Sequence, residues 1–417
     1  MVIRNLKKLG SSSLRKKGLE IINSGLDAIN TERIIRDKVN LKNNNLIVKN
    51  FKNKIRKINL KKYKRIVVVG FGKASSLMGK ELERIMGGKI DDGIIISTKK
   101  IRLKKIKVIR GTHPVPTLGN VKGTKKIVEL VKGLSEDDLV ICLVSGGGSA
   151  LLCYPNIGFE KYLSSVNKHF SSGIDINRLN MIRKGLSNVK SGKLAKLTKA
   201  KIVSLIFSDV VGDSLSTIAS GPTVGKGLGN VDNILLLNNT VALEGMRKKA
   251  LLLGFKPVVL TNTLKGEAKL VGKNLIKKII NKKIPLNERS NKSLENKKIR
   301  KSNGIAYLFA GETTVTVRGK GKGGRCQELC LGAIPEISKL DDSVLICIGS
   351  DGIDGPTDTA GAVVDGKSLE KANRLGLDVN RALRENSSYA FFKKMDDLVF
   401  TGLTGSNVAD IGVVIKL

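Results

Sequence analysis

Two periods of apolar residues alternate along this chain. Between residues 11 and 30, Leu14, Leu19, Ile22, Leu26 and Ile29 recur near helical spacing behind serines suited to capping, which predicts an amphipathic helix. After a Lys/Asn-rich stretch the pattern changes to short unbroken apolar runs at residues 66–69, 93–96, 139–144 and 202–207, as expected of strands covered on both faces. Helical patterns separate them, running to Glu83, over 120–132 and over 176–197. From about Asn238 the rhythm restarts with a helix to Leu253, a strand at 257–260 and a helix over 265–280. Residues 281–303 are polar and Lys/Asn-rich and read as a surface excursion. Two strands are predicted at 306–312 and 313–318, then a helix from Gln327 and a last strand at 344–348. Strands alternating with helices predict an α/β fold of two α/β domains, 1–236 with a mainly parallel sheet and a smaller one at 237–417.

Composition supports this layering. Hydrophobic residues make up 41% and charged residues 27%, the balance of a chain able to bury cores, and 417 residues exceed what one core usually serves. Aromatics are 4% with no Trp, so Ile, Leu and Val must fill the interior around the 45 glycines. The net charge of +39 is mostly Lys spread from end to end, without the aromatic residues that would stack on bases, and predicts no specific nucleic-acid partner. No long apolar span and no signal-peptide pattern are present, so a cytoplasmic protein without a membrane partner is expected. The 5 Cys are scattered, as reduced core thiols would be.

Candidate chemistry lies where predicted strands end, since open α/β sheets bind ligands beyond the carboxyl ends of their strands. Gly72 and Lys73, in Gly70-Phe71-Gly72-Lys73-Ala74-Ser75, join a strand to a helix and bring a positive charge to the mouth of the turn. Walker spacing is absent, and Ser75 stands where a dinucleotide fingerprint has its third Gly; Asp91 and Asp92 lie at the spacing of a ribose-binding acid. Ser145, Gly146, Gly147, Gly148 and Ser149 follow another strand and offer consecutive N–H groups to an anion. Arg318-Gly319-Lys320-Gly321-Lys322-Gly323-Gly324-Arg325 has the charge and flexibility to close over a triphosphate, with Lys320 and Lys322 on the nucleotide and Arg325 making a forked contact to the transferring group. Asp209 with Asp213, Asp351 with Asp354 and Asp358, and Glu312 place acids beside these cations; Asp351 and Asp354 are candidate metal ligands. His113, in the Thr112-His113-Pro114-Val115-Pro116 turn, is a candidate substrate contact with Asp213.

Taken in order, Gly70 to Ala74, Thr112 to Pro116, Ser145 to Leu152, Ser208 to Asp213, Ala219 to Thr223, Gly311 to Glu328 and Gly349 to Ala362 resemble the glycerate 2-kinase family, some of whose members carry hydroxypyruvate reductase labels. The resemblance implies a Rossmann-like N-terminal domain, a smaller C-terminal α/β domain, and a cleft between them. It implies ATP with Mg²⁺, and D-glycerate phosphorylated at its 2-hydroxyl. Lys73 and Arg325 become the main phosphate-handling cations, Asp209 and Asp351 metal ligands or bases orienting the hydroxyl, and Glu312 a support for the loop. The chain departs from the family at Cys326, where Asn is usual, and at Gly225-Lys226, where Pro-Asp is usual. An NAD(P)-dependent hydroxypyruvate reductase is the alternative. Assembly into a homo-oligomer is left open.

Overall fold

A computed structural model describes residues 1–171, 176–281 and 303–417. The chain divides into two units, residues 31–238 and residues 1–30 with 239–417. In chain order, α1 (Leu6–Leu9) and α2 (Ser13–Ala28) come first. Next are α3 (Thr31–Lys38), β1 (Val39–Lys42), β2 (Asn45–Lys49), β3 (Ile55–Asn59), β4 (Arg65–Phe71), α4 (Ser75–Met86), β5 (Asp92–Ser97) and β6 (Ile106–Arg110). After them stand α5 (Leu118–Lys132), β7 (Asp138–Val144), α6 (Gly148–Leu151), α7 (Phe159–Ser171), α8 (Ile176–Gly185), β8 (Lys201–Phe207) and β9 (Val231–Leu237).

The unit of residues 31–238 is built on a six-stranded sheet ordered β6-β5-β4-β7-β8-β9, with every neighbouring pair parallel. Counted from β4, that is the 3-2-1-4-5-6 order of a dinucleotide-binding sheet, which reverses between β4 and β7. The unbroken apolar runs are explained by burial: all seven residues of β7 are buried, and six of seven in β4 and in β8. Two features departed from the sequence pattern. The Lys/Asn-rich stretch after Asn30 holds α3 and a three-stranded antiparallel sheet, β1-β2-β3. The helix expected over 176–197 stops at Gly185 and does not resume by 192, where Ser191 and Gly192 take left-handed backbone (φ 55° and 78°) and their N–H groups donate to Ser220 O and Gly221 O.

The other unit contains α9 (Asn239–Leu252), β10 (Lys256–Leu264), α10 (Ala268–Ile280), β11 (Ile305–Gly311), α11 (Arg325–Ile337), β12 (Ser343–Gly349) and β13 (Gly361–Asp365). It closes with α12 (Ser368–Arg374), α13 (Val379–Arg384), α14 (Ser388–Lys394), β14 (Leu398–Val399) and β15 (Asp410–Lys416). Its sheet runs β10-β11-β15-β12-β13-β14; only β10 and β11 are parallel. The strand expected last is thus followed by three more, and β15 lies at the centre.

Residues 1–30 were assigned by sequence to the first domain, yet α2 packs in this unit. Its apolar face needs a sheet to cover, and Gly18 and Gly25 let its backbone approach Ile346, Val344 and Ile415, and Met246 and Ile411. Arg15 adds buried ion pairs to Asp365 at 2.5 Å and Asp397 at 2.6 Å. The expected strand at 313–318 is extended chain with a single bridge, Thr314 to Glu267, because the Glu267 carboxylate takes Thr316 N and Oγ1. Of the excursion predicted at 281–303, residues 282–302 lie outside those described.

Candidate functional site

Three turns meet at the carboxyl ends of β4, β7 and β8. Gly72 (φ 137°) lies so close to Ser145 that a Cβ there would collide with the Ser145 hydroxyl. That hydroxyl accepts from Ala74 N at 3.1 Å and bonds Ser75 Oγ at 3.1 Å, while Lys73 N donates to Gly146 O at 2.9 Å. Ser145 is therefore a buried tie between two turns, and its N–H, expected to be offered to an anion, donates to Phe71 O at 3.2 Å. Ser149 likewise bonds Ser220 Oγ at 2.9 Å.

Gly147 (φ 79°) is where the candidate side chains converge. A Cβ built there would meet His113 Cδ2 at 3.0 Å, His113 Nε2 at 3.3 Å and Lys73 Cγ at 3.1 Å. One at Gly146 would collide with Asp209 Oδ2. Lys73, His113 and Asp209, far apart in sequence, thus share the glycine turn, and the glycines are required because the side chains lie against their backbone. The Asp213 carboxylate accepts from Asn238 Nδ2 at 2.6 Å, which ties the loop after β8 to the residue that follows β9.

Two residues that sequence reasoning missed hold this arrangement. Asn120 is fully buried; its Oδ1 accepts from Thr112 N (3.0 Å) and Thr117 N (3.3 Å), and its Nδ2 donates to Thr112 O (3.0 Å) and Ala150 O (2.9 Å), which ties the His113 turn to α6. Lys190, 1% exposed, donates from Nζ to Ser149 O (2.7 Å) and Leu152 O (3.0 Å). Burial lowers its pKa to about 8. Asn120 sits three residues after Thr117 at a helix start, a legible capping pattern. Lys190 is one lysine among many.

The second group lies where β11 and β12 end and β15, running the other way, begins: Gly311 and Gly349 both pair with Asp410. Arg325, first residue of α11, was expected to fork onto a phosphoryl group. Its fork is instead on Asp410, Nε to Oδ2 at 2.6 Å and Nη2 to Oδ1 at 3.0 Å, and Nη1 reaches Glu312 Oε1 at 2.5 Å. Burial opposes the charge on Arg325, but Asp410 and Glu312 outweigh it and raise its pKa, so the guanidinium stays charged. Burial pushes Asp410 up to about 7 against the pull of Arg325. Arg325 keeps 34% of its side chain exposed, whereas Asp410 keeps 7%.

Asp354 was a candidate metal ligand, but it caps a helix: its Oδ1 accepts from Cys326 N at 3.0 Å and its Oδ2 from Gln327 N at 2.8 Å. Its raised pKa comes from burial. Asp351 is half-buried, and its Oδ1 accepts from Ile353 N at 3.2 Å. Asp358 is exposed. The glycine-lysine loop was expected to be flexible. Its glycines serve close packing instead: Cβ atoms at Gly319 and Gly321 would strike the backbone of Glu385 and Asn386, and one at Gly323 the Ser388 hydroxyl. Asn386, buried and left-handed (φ 50°), accepts from Arg318 N and Gly319 N at 2.8 and 3.0 Å and donates to Glu328 at 3.1 Å. Lys320 and Lys322 are exposed on the loop, with Lys322 Nζ 5.2 Å from the Tyr389 ring centre. Cys326 is fully buried, and burial raises its thiol pKa.

Asp91 and Asp92 lie at the amino end of β5, the opposite end of the sheet from the glycine turn, and Asp91 accepts from Ile66 N at 2.7 Å. They cannot serve the ribose of a dinucleotide bound at the strands' carboxyl ends. Among the described residues, no helix is long and apolar enough to cross a membrane.

Known proteins share this architecture. The DUF4147 family model, a domain of unknown function, matches residues 17–246, and the MOFRL family model matches residues 305–410. The glycerate 2-kinase of Pyrococcus horikoshii is 33% identical over 96% of this chain and 97% of that protein, and the D-glycerate 2-kinase of Thermotoga maritima is 31% identical over 97% and 99%. An Agrobacterium vitis relative with a provisional hydroxypyruvate reductase name is 33% identical over 84% of this chain and 99% of that protein. The crystal structure of a glycerate kinase from Thermotoga maritima superposes with a TM-score of 0.82 at 30% identity, covering 97% of this chain and 100% of that one.

Proposed function

The chain belongs to the glycerate 2-kinase family, and from that premise we propose that it is a cytoplasmic enzyme that transfers the γ-phosphoryl of ATP to the 2-hydroxyl of D-glycerate, giving ADP and 2-phosphoglycerate. The observation that carries this reading is the convergence of Lys73 and His113 on Gly147 and of Asp209 on Gly146 beyond parallel strand ends. Little covalent chemistry is asked of a protein in phosphoryl transfer; positioning and charge neutralisation supply most of the rate. In this assignment Lys73 neutralises charge on the transferring group and the 145–149 turn cradles phosphate. His113 meets the acid substrate, and Arg325, aimed by Asp410 and Glu312, is the second phosphate cation. Lys320 and Lys322 add a screened attraction for the nucleotide.

Mg²⁺ usually takes only one or two carboxylates beside substrate phosphates. Asp209 and Asp351, half-buried at strand ends, fit that demand, whereas Asp354, with both oxygens on backbone amides, does not. When bound, Mg²⁺ would neutralise phosphate charge; whichever of Asp209 and Asp351 is not a ligand would orient the acceptor hydroxyl. The placement of Asp91 and Asp92 disfavours a nicotinamide reductase. The test supplies ATP, Mg²⁺ and D-glycerate, and in parallel NADH and hydroxypyruvate. Phosphorus NMR should show a phosphate coupled to one carbon-bound proton, as at C2, rather than two. NADH oxidation without ATP consumption would overturn the reading.

A further inference from the structure

Beneath the glycine turn lies a positive charge that the reaction as assigned does not use. Lys190 stands in the irregular segment that replaces the expected continuation of α8, and its ammonium is buried and donates to two carbonyl oxygens, Ser149 O at 2.7 Å and Leu152 O at 3.0 Å. Those carbonyls belong to the single helical turn α6 and the residue after it, the chain that continues from Gly146 and Gly147. The ionisable groups that act on it are Cys153 beyond α6 and Arg183 on α8, and Tyr162 on α7 stands beside Cys153. Burial raises the pKa of Cys153 and pushes Tyr162 up to about 12, so both stay neutral near physiological pH, and Arg183 adds positive charge. Among the described residues, no carboxylate pairs with Lys190; the acid against this turn is Asp209, at Gly146. A buried ammonium held only by carbonyl dipoles is costly unless an anion completes it.

We propose that Lys190 is a positioning residue of the phosphoryl site: it fixes the 145–152 turn through the Ser149 and Leu152 carbonyls, and its charge is completed by the phosphate group bound against that turn. This rests on the phosphotransferase reading. Two consequences separate it from a packing role. Lys190→Met keeps the length and apolar stem of the side chain and removes the charge, so folding should tolerate it. Nucleotide binding should suffer: the KM for ATP should rise on the order of tenfold, the weight of one charge-assisted contact, with the KM for D-glycerate changed less than about twofold. In the wild-type protein, anion binding should also draw a proton onto Lys190 once the pH exceeds about 8.

The experiment is calorimetric titration with ADP and with inorganic tripolyphosphate at pH 8.5, in two buffers of different ionisation enthalpy, on wild type and Lys190→Met, alongside kinetics and thermal melts. The expected result is uptake of roughly half a proton by wild type, absent in a folded variant with weakened ATP binding. No proton uptake by wild type overturns the proposal even if the variant fails to fold, as does a folded variant with an unchanged KM for ATP. If no phosphorylation of glycerate occurs but tripolyphosphate binds with Lys190-dependent proton uptake, the functional reading fails and the role of Lys190 stands.

Discussion

Asp410→Asn separates aiming from stability. The carboxylate holds Arg325 by two bonds, 2.6 and 3.0 Å, and an amide can accept only one of them while turning its own N–H₂ toward a donor. Hydrogen bonds to charged groups are worth about 1.5–3 kcal/mol, which would normally appear as a lower melting temperature. Two features offset the loss. Asp410 is buried enough that its charge opposes folding, as its pKa of about 7 indicates, and the substitution removes that charge. Arg325 keeps 34% of its side chain exposed and retains Glu312 at 2.5 Å, so its guanidinium is not stranded. The melting temperature should therefore move by no more than about 3 °C. Turnover should fall about 10–100-fold, because a misaimed group loses on that order per ångström. The pH profile adds a sign. Asp410 accepts the Arg325 fork when ionised, so kcat should decline as pH falls through about 7 in wild type and not in the variant. An acid whose folded pKa is raised favours the fold when protonated, so this group stabilises the protein as pH falls from about 7 toward its ordinary value of about 3.8. The decline in rate should thus precede any melting. A kcat within twofold of wild type would refute the aiming role, and a melting temperature lowered by more than about 8 °C would make the pair a stability element.

Lys73→Ala should lower kcat about 100-fold or more with little change in the KM for D-glycerate, since the charge matters most as the phosphoryl group transfers; steady-state kinetics on a folded variant that kept its kcat would move the phosphate site elsewhere. Lys320→Ala should instead raise the KM for ATP by a few-fold, a difference that shrinks as salt is added. Asp354→Ala strips the carboxylate from two backbone N–H groups at the start of α11 and should cost about 2–3 kcal/mol in a urea melt; a loss under about 0.5 kcal/mol would contradict the capping role. Cys326→Asn restores the residue usual in the family, yet the site is fully buried, so an amide without partners should cost about 1–3 kcal/mol. An unchanged melt would mean that the amide finds a partner there.

The parts of the fold that were legible are those whose evidence is local. A parallel strand buried on both faces writes an unbroken apolar run, and the turn after it needs Gly, so β4, β7 and β8 and the glycines at 72 and 146–148 could be located from spacing alone. Which strands pair was not written locally. β15 becomes the centre of its sheet only because β11 and β12 flank it in opposite sense. A reading that looks for chemistry at strand ends passes over Asp410, which stands at a strand's start and meets Arg325 from 85 residues away. The same limit hid the destination of α2: its apolar stripe shows that it must be covered, and only the contacts of Gly18 and Gly25 show by what.

Glycine and lysine were each misjudged for the same physical reason, that residue type does not reveal surroundings. Alternating glycines in the 318–325 loop suggested motion, but a missing Cβ also permits close approach, and against Glu385, Asn386 and Ser388 the second use prevails. With 75 Lys and Arg in the chain, a lysine is by default a solvated surface charge, and nothing in Ser187-Asn188-Val189-Lys190-Ser191-Gly192 marks one as different. What distinguishes Lys190 is a tertiary fact: beyond the end of α8 at Gly185 the left-handed turn at Ser191 and Gly192 bonds this segment to Ser220 and Gly221, and the Lys190 ammonium reaches the carbonyls of Ser149 and Leu152 behind the glycine turn. The backbone irregularity that defeated the helix prediction is thus what places a charge beneath the candidate phosphate site.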